Sequence, residues 1–156
     1  LAGFFTNVTA TSLLGTTTND NAAAGAVGEY VVSAIESASA ISLTTATAAD
    51  LTSISLTAGD WDVTGAVAFV PAATTSVTAE IATINNTSAT LPTVGDGGYA
   101  TRTQAAEVPG VLTDVLDIAP VRFSLSGTTT IYLIAQANFT ISTMTAYGGI
   151  RARRIR

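Results

Sequence analysis

The charged side chains that could do chemistry in this 156-residue chain are seven aspartates, four glutamates and six arginines. Lys, His and Cys do not occur. Asp60 and Asp62 flank Trp61. In a strand, both carboxylates project to the face opposite the indole. Two carboxylates are enough for glycoside chemistry, and an Asp-Trp-Asp surface could hold a sugar by stacking and hydroxyl contacts. The plainer reading makes Asp60 a turn residue and Asp62 a solvated strand position, as most surface acids are. Trp61 shares its face with apolar residues, which argues against an exposed ring. Tyr99 and Tyr147 lie in or beside Gly-rich stretches, where loops could present their rings. The candidate ligand-facing residues are therefore Tyr99, Tyr147, Asp60 and Asp62. Asp114 and Asp117 supply too few oxygens for a calcium site, and Asp96-Gly97-Gly98 lacks EF-hand spacing.

The missing residue types narrow the chemistry further. Without His there is no Ser-His-Asp triad and no imidazole ligand. Without Cys there is no thiolate nucleophile, disulfide framework or zinc-cysteine site. Without Lys there is neither a Schiff-base nor a P-loop lysine. No nucleotide-binding or nucleophile-elbow motif is present. The expectation is a protein with no catalytic residues, cofactor or metal, whose work is structural or binding.

The arginines are clustered. Four of the six are Arg151, Arg153, Arg154 and Arg156, and the first 150 residues hold the other two against all eleven acids. An acidic body argues against phosphate-dominated nucleic-acid binding. In a strand, Arg151 and Arg153 share one face, and Arg154 and Arg156 the other. Pairing with acids, within a subunit or between subunits, is the expected role, and these four join Phe4, Phe5, Leu13 and Leu14 as candidate subunit contacts. The longest strongly apolar run, Ile131–Ala135, is too short to span a membrane.

The elements that must position these residues are strands. Ala and Thr number 28 each, Gly 13 and Ser 12. Residues 1–28 are low in complexity and read as an extended N-terminal arm. Residues 29–156 read as one β-sandwich domain. Strands are expected near Glu29–Ala34, Ala40–Thr44, Thr52–Thr57, Trp61–Phe69, Ser76–Ile84, Val111–Ile118, Val121–Ser126, Thr130–Ile141 and Thr145–Ile155, because apolar and polar residues alternate there. Trp61, Val63, Val67 and Phe69 share one face, with Gly65 marking a close approach by another group. Val77, Ala79 and Ile81 form a second face. Ile131, Leu133, Ala135, Ala137, Phe139 and Ile141 form a third. Residues 91–110 read as a long exposed loop, because Pro92, Gly95, Gly97, Gly98, Pro109 and Gly110 punctuate them. Only Ala22–Ala26 and Ala46–Leu51 could be helical. The pattern spells an all-β, jelly-roll-like sandwich of about eight antiparallel strands.

Three stretches resemble a known group. They are Ser55-Leu56-Thr57-Ala58-Gly59-Asp60-Trp61-Asp62-Val63-Thr64-Gly65, the run Phe123 to Ala137, and the ending Ala146-Tyr147-Gly148-Gly149-Ile150-Arg151-Ala152-Arg153-Arg154-Ile155-Arg156. Together they look like small structural proteins of tailed-bacteriophage and prophage virions, of the fibre-head or capsid-decoration kind. The Trp61 strand is similar to an early strand of trimeric jelly-roll heads with a C1q/TNF-like fold. The resemblance implies a homotrimer in the virion, attached to the head beside the major capsid protein. A tail-fibre tip or receptor-binding domain is the second role within that group. From another class, a carbohydrate-binding module, with a host surface glycan as partner, would use the same sandwich.

Overall fold

In the computed structural model, residues 17–95, 98–108 and 112–156 are described. Among the described residues, nine strands form two antiparallel sheets. They are β1 (Tyr30–Ile35), β2 (Ile41–Ser42), β3 (Ala49–Leu56), β4 (Gly59–Pro71), β5 (Ser76–Asn85), β6 (Tyr99–Glu107), β7 (Asp114–Leu125), β8 (Thr129–Thr140) and β9 (Met144–Arg154). One sheet has the order β1-β9-β4-β7, with the two-residue β2 also on β9; the other has the order β3-β8-β5-β6. With β2 set aside, the eight long strands interleave between the sheets in the jelly-roll order, the double Greek key of such sandwiches.

The core lies between the sheets, and period-two alternation builds it. Trp61, Val63, Val67 and Phe69 of β4 are wholly buried. They meet Ile131, Leu133 and Ala135 of β8, and Ile54 and Leu56 of β3, in one cluster. The Trp61 indole N–H donates to the Thr57 carbonyl at 2.9 Å, so the ring's polar edge is satisfied inside. Gly65 sits where a side chain has no room. A Cβ there would lie 2.9 Å from the Gly149 carbonyl oxygen and 3.1 Å from Leu133 Cδ1. The close approach expected from the sequence is thus made by the β9 backbone and by Leu133 of the facing sheet. Ser33 of β1 and Thr52 of β3 share a hydroxyl hydrogen bond of 2.6 Å between the two sheets.

Several local expectations are corrected. Ala46–Leu51 is not helical: a turn precedes β3, which begins at Ala49. Ala22–Ala26 holds turns, and the helical segment that forms among the described residues is the short 3-10 turn Ser37–Ser39. The two segments expected either side of Pro120 are one strand, β7. Its register against β4 slips between Val63 and Gly65, and this bulge accommodates the proline. On β5 the inward face is not Val77, Ala79 and Ile81. A register shift between Val77 and Ala79 changes the parity, so Val77, Ala82 and Ile84 join the core and Glu80 is buried with them. On β8, Ile131, Leu133, Ala135, Ala137 and Phe139 face inward as expected, but Ile141 lies beyond the strand and is exposed.

The expected loop 91–110 contains β6. Its inner side carries Ala100, Arg102 and Gln104, so no apolar alternation announces it. As an edge strand it takes its hydrogen bonds from β5 alone. Arg102 stands between Glu80, 3.8 Å away, and Asp114 of β7, with which it is ion-paired. The charge on Glu80 therefore has a cation within reach inside the sandwich edge.

Candidate functional site

The outer face of the β1-β9-β4-β7 sheet carries the most concentrated chemistry among the described residues. Cross-strand register arranges it in rows. Tyr30, Arg153, Asp62 and Arg122 stand side by side on β1, β9, β4 and β7. The next outward row is Val32, Arg151 and Thr64. The third is Ala34, Gly149, Ala66 and Asp117. Small residues in the middle of this third row lower the floor. Tyr30 and Val32 line it on the β1 side, and Asp117 and Pro120 on the β7 side. The result is an open groove of about 570 Å³, with Arg151 along it and Gly65 and Gly149 in its floor. A second hollow of about 490 Å³ continues it past Asp62 and Thr64 towards Arg153.

The charges on this face divide into a spent group and an open group. Asp60 is buried beneath two arginines. Arg122 donates to it from Nε at 3.3 Å and from Nη2 at 2.8 Å, and Arg156 is ion-paired with it. These contacts, above all the hydrogen bonds from Arg122, pull the Asp60 carboxyl from 3.8 down to about 2. Arg151 and Arg153 are exposed, and neither has an ion-pair partner among the described residues. Asp62 is exposed beside Arg153, and Asp117 is exposed across the groove.

Arg154 belongs to the interior. Its side chain is 4% exposed, with the guanidinium 4.3 Å from the Trp61 ring centroid. It donates to Glu29 at 2.9 Å, to the Ala58 carbonyl at 2.7 Å and to the Thr57 hydroxyl. Glu29 also accepts from the Gly25 N–H at 2.7 Å. That backbone hydrogen bond, then the one from Arg154, lowers the Glu29 carboxyl below its ordinary value. The knot closes one end of the sandwich and ties the turn before β1 to the last strand.

The expected site residues thus separate. Asp62 lines the groove, while Asp60 is covered and cannot face a ligand. Tyr147 is half-buried on β9, beyond the groove, and Tyr99 is half-buried on β6 in the other sheet. Trp61 is a core residue and offers no stacking surface. Of the arginines expected to make subunit contacts, Arg151 and Arg153 are open for them. Arg154 is used inside the chain, and Arg156 bonds Asp60 on the outer face rather than sharing Arg154's side. Phe4, Phe5, Leu13 and Leu14 lie outside the described residues.

Sequence reasoning missed Tyr30, Val32, Thr64, Asp117, Pro120 and Gly149. In β1 the inward Val31 and Ile35 alternate with the outward Val32 and Ala34, so both faces read as apolar. Comparison with protein-family models, with curated proteins and with solved structures found no match.

Proposed function

We propose that this protein is a non-enzymatic structural subunit of a tailed-bacteriophage virion, a homotrimer attached to the head beside the major capsid protein. The observation that carries the reading is the strand order, β1-β9-β4-β7 over β3-β8-β5-β6. Jelly rolls of this kind serve as viral capsid and lectin domains. Fold alone does not define function, so the reading also leans on the sequence resemblance. A second feature suits assembly. Val108, Leu112 and Val115, on the connection from β6 and the start of β7, are 55%, 70% and 59% exposed. Apolar side chains grouped at the edge of a sandwich favour burial against another chain.

The tests are direct. Sedimentation velocity of the purified protein at micromolar concentration is expected to give a trimer, and a stable compact monomer would overturn the reading. Antibody labelling of purified particles is expected to decorate heads. Labelling confined to fibre tips would move the role to the tail, and particles free of label would refute virion residence.

A further inference from the structure

We propose that the groove on the outer face of the β1-β9-β4-β7 sheet is a binding site for a carboxylate-bearing sugar. A groove of about 570 Å³ lies within the range of small-ligand sites. A flat face of another protein would leave such a hollow unfilled, whereas a ring-shaped ligand fills it. The lining then selects the ligand. Arg151 and Arg153 project to the same side of β9 at i and i+2, about 7 Å apart. Both are exposed, with no ion-pair partner among the described residues. Guanidinium forks pair best with planar anions such as carboxylates. Tyr30 is 37% exposed at the groove wall, next to Arg153, and offers an aromatic face to the C–H side of a sugar ring. The Thr64 hydroxyl, Asp62 and Asp117 line the same space and can accept or exchange hydrogen bonds with sugar hydroxyls.

The charge layout gives independent support. Among the described residues, four of the six arginines, Arg122, Arg151, Arg153 and Arg156, stand on this face with the acids Asp60, Asp62 and Asp117. An anion approaching an otherwise acidic molecule is therefore drawn here. The floor supports the same assignment. At Gly149 an added Cβ would meet Ala34 Cβ at 3.4 Å and the Ser33 carbonyl oxygen at 3.5 Å, ordinary contacts. Packing would thus admit a side chain there, yet the position is open and deepens the groove.

The inference does not depend on the assembly reading, because a monomer would carry the same groove. The test is an NMR titration of the full chain with trigalacturonate and with 3′-sialyllactose, each beside its methyl ester. At least one acid is expected to give saturable shifts at Tyr30, Thr64, Ala66 and Gly149, with its ester binding at least tenfold more weakly. Arg151→Ala and Gly149→Leu are each expected to weaken binding tenfold or more at an unchanged melting temperature. Absence of saturable shifts with both acids at millimolar concentration would overturn the proposal. So would equal binding of the esters, or undiminished binding to Gly149→Leu. Concentration-dependent shifts at the groove residues without sugar would overturn it as well, by making the face a contact between copies. An Arg151→Ala variant that also loses its fold would leave the ester comparison and Gly149→Leu to decide.

Discussion

Replacing Arg154 by Met keeps much of the stem and removes the guanidinium from the closed end of the sandwich. The contacts with Glu29, the Ala58 carbonyl, the Thr57 hydroxyl and the Trp61 ring go at once. The ion pair with Glu29 at 2.9 Å is lost, leaving that carboxylate, 13% exposed, with the Gly25 N–H as its partner among the described residues. The Ala58 carbonyl loses its 2.7 Å donor. The Trp61 ring loses the cation 4.3 Å from its centroid, an interaction worth roughly 0.5–2 kcal/mol. These terms are not additive, and breaking one partner of a buried pair costs about 3–5 kcal/mol. Partial exposure of Glu29 puts the expected loss near the lower end, about 3 kcal/mol. For a chain of this size each kcal/mol lowers the melting temperature by about 2–4 °C, so a fall of roughly 6–12 °C is expected. Urea unfolding followed by the emission of the single tryptophan, Trp61, and by circular dichroism measures it. A double cycle with Glu29→Gln separates the pair from the packing. A loss under about 1 kcal/mol, against the cost of breaking a buried pair, would refute the assignment of Arg154 as a buried clamp.

Two further outcomes follow from the same structure. Gly148→Ala is expected to prevent stable folding, because its Cβ would collide with the Ala66 carbonyl oxygen of β4, whereas Gly149→Ala one residue on should change stability by less than about 1 kcal/mol. Thermal melts of the two variants measure the contrast, and equal destabilisation would refute the geometry. The second concerns acid. Asp60 titrates at about 2 in the folded chain against 3.8 ordinarily, so its contribution is complete above about pH 4 and is lost as the pH falls towards 2. Asp60→Asn is therefore expected to narrow its stability deficit against the parent across that window, and a deficit that stays constant from pH 5 to 2 would count against the Arg122 contact.

How much of this was legible beforehand depended on distance along the chain. The all-β class, and the inward faces of β4 and β8, follow from alternation between near neighbours. A strand turns successive side chains to opposite sides, so Trp61, Val63, Val67 and Phe69 declare their face without reference to the rest of the fold. Local pattern also marked Gly65 as a close approach. It failed where pairing overrides alternation. The register shift after Val77 reverses the parity of β5 and buries Glu80, and the polar inner side of β6 makes an edge strand look like a loop.

The site itself came from the tertiary structure alone. Tyr30, Thr64, Pro120 and Arg151 lie on four strands far apart in sequence, and cross-strand register makes them neighbours. The arginine-rich ending was visible as a cluster, with Arg151 and Arg153 together on one face. Only folding decided that Arg154 turns in to Trp61 and Glu29 and that Arg156 caps Asp60, while Arg151 and Arg153 stay open. Residue type and alternation set which way a side chain points from its own strand. What it meets there is set by strands that the chain reaches only after crossing from one sheet to the other.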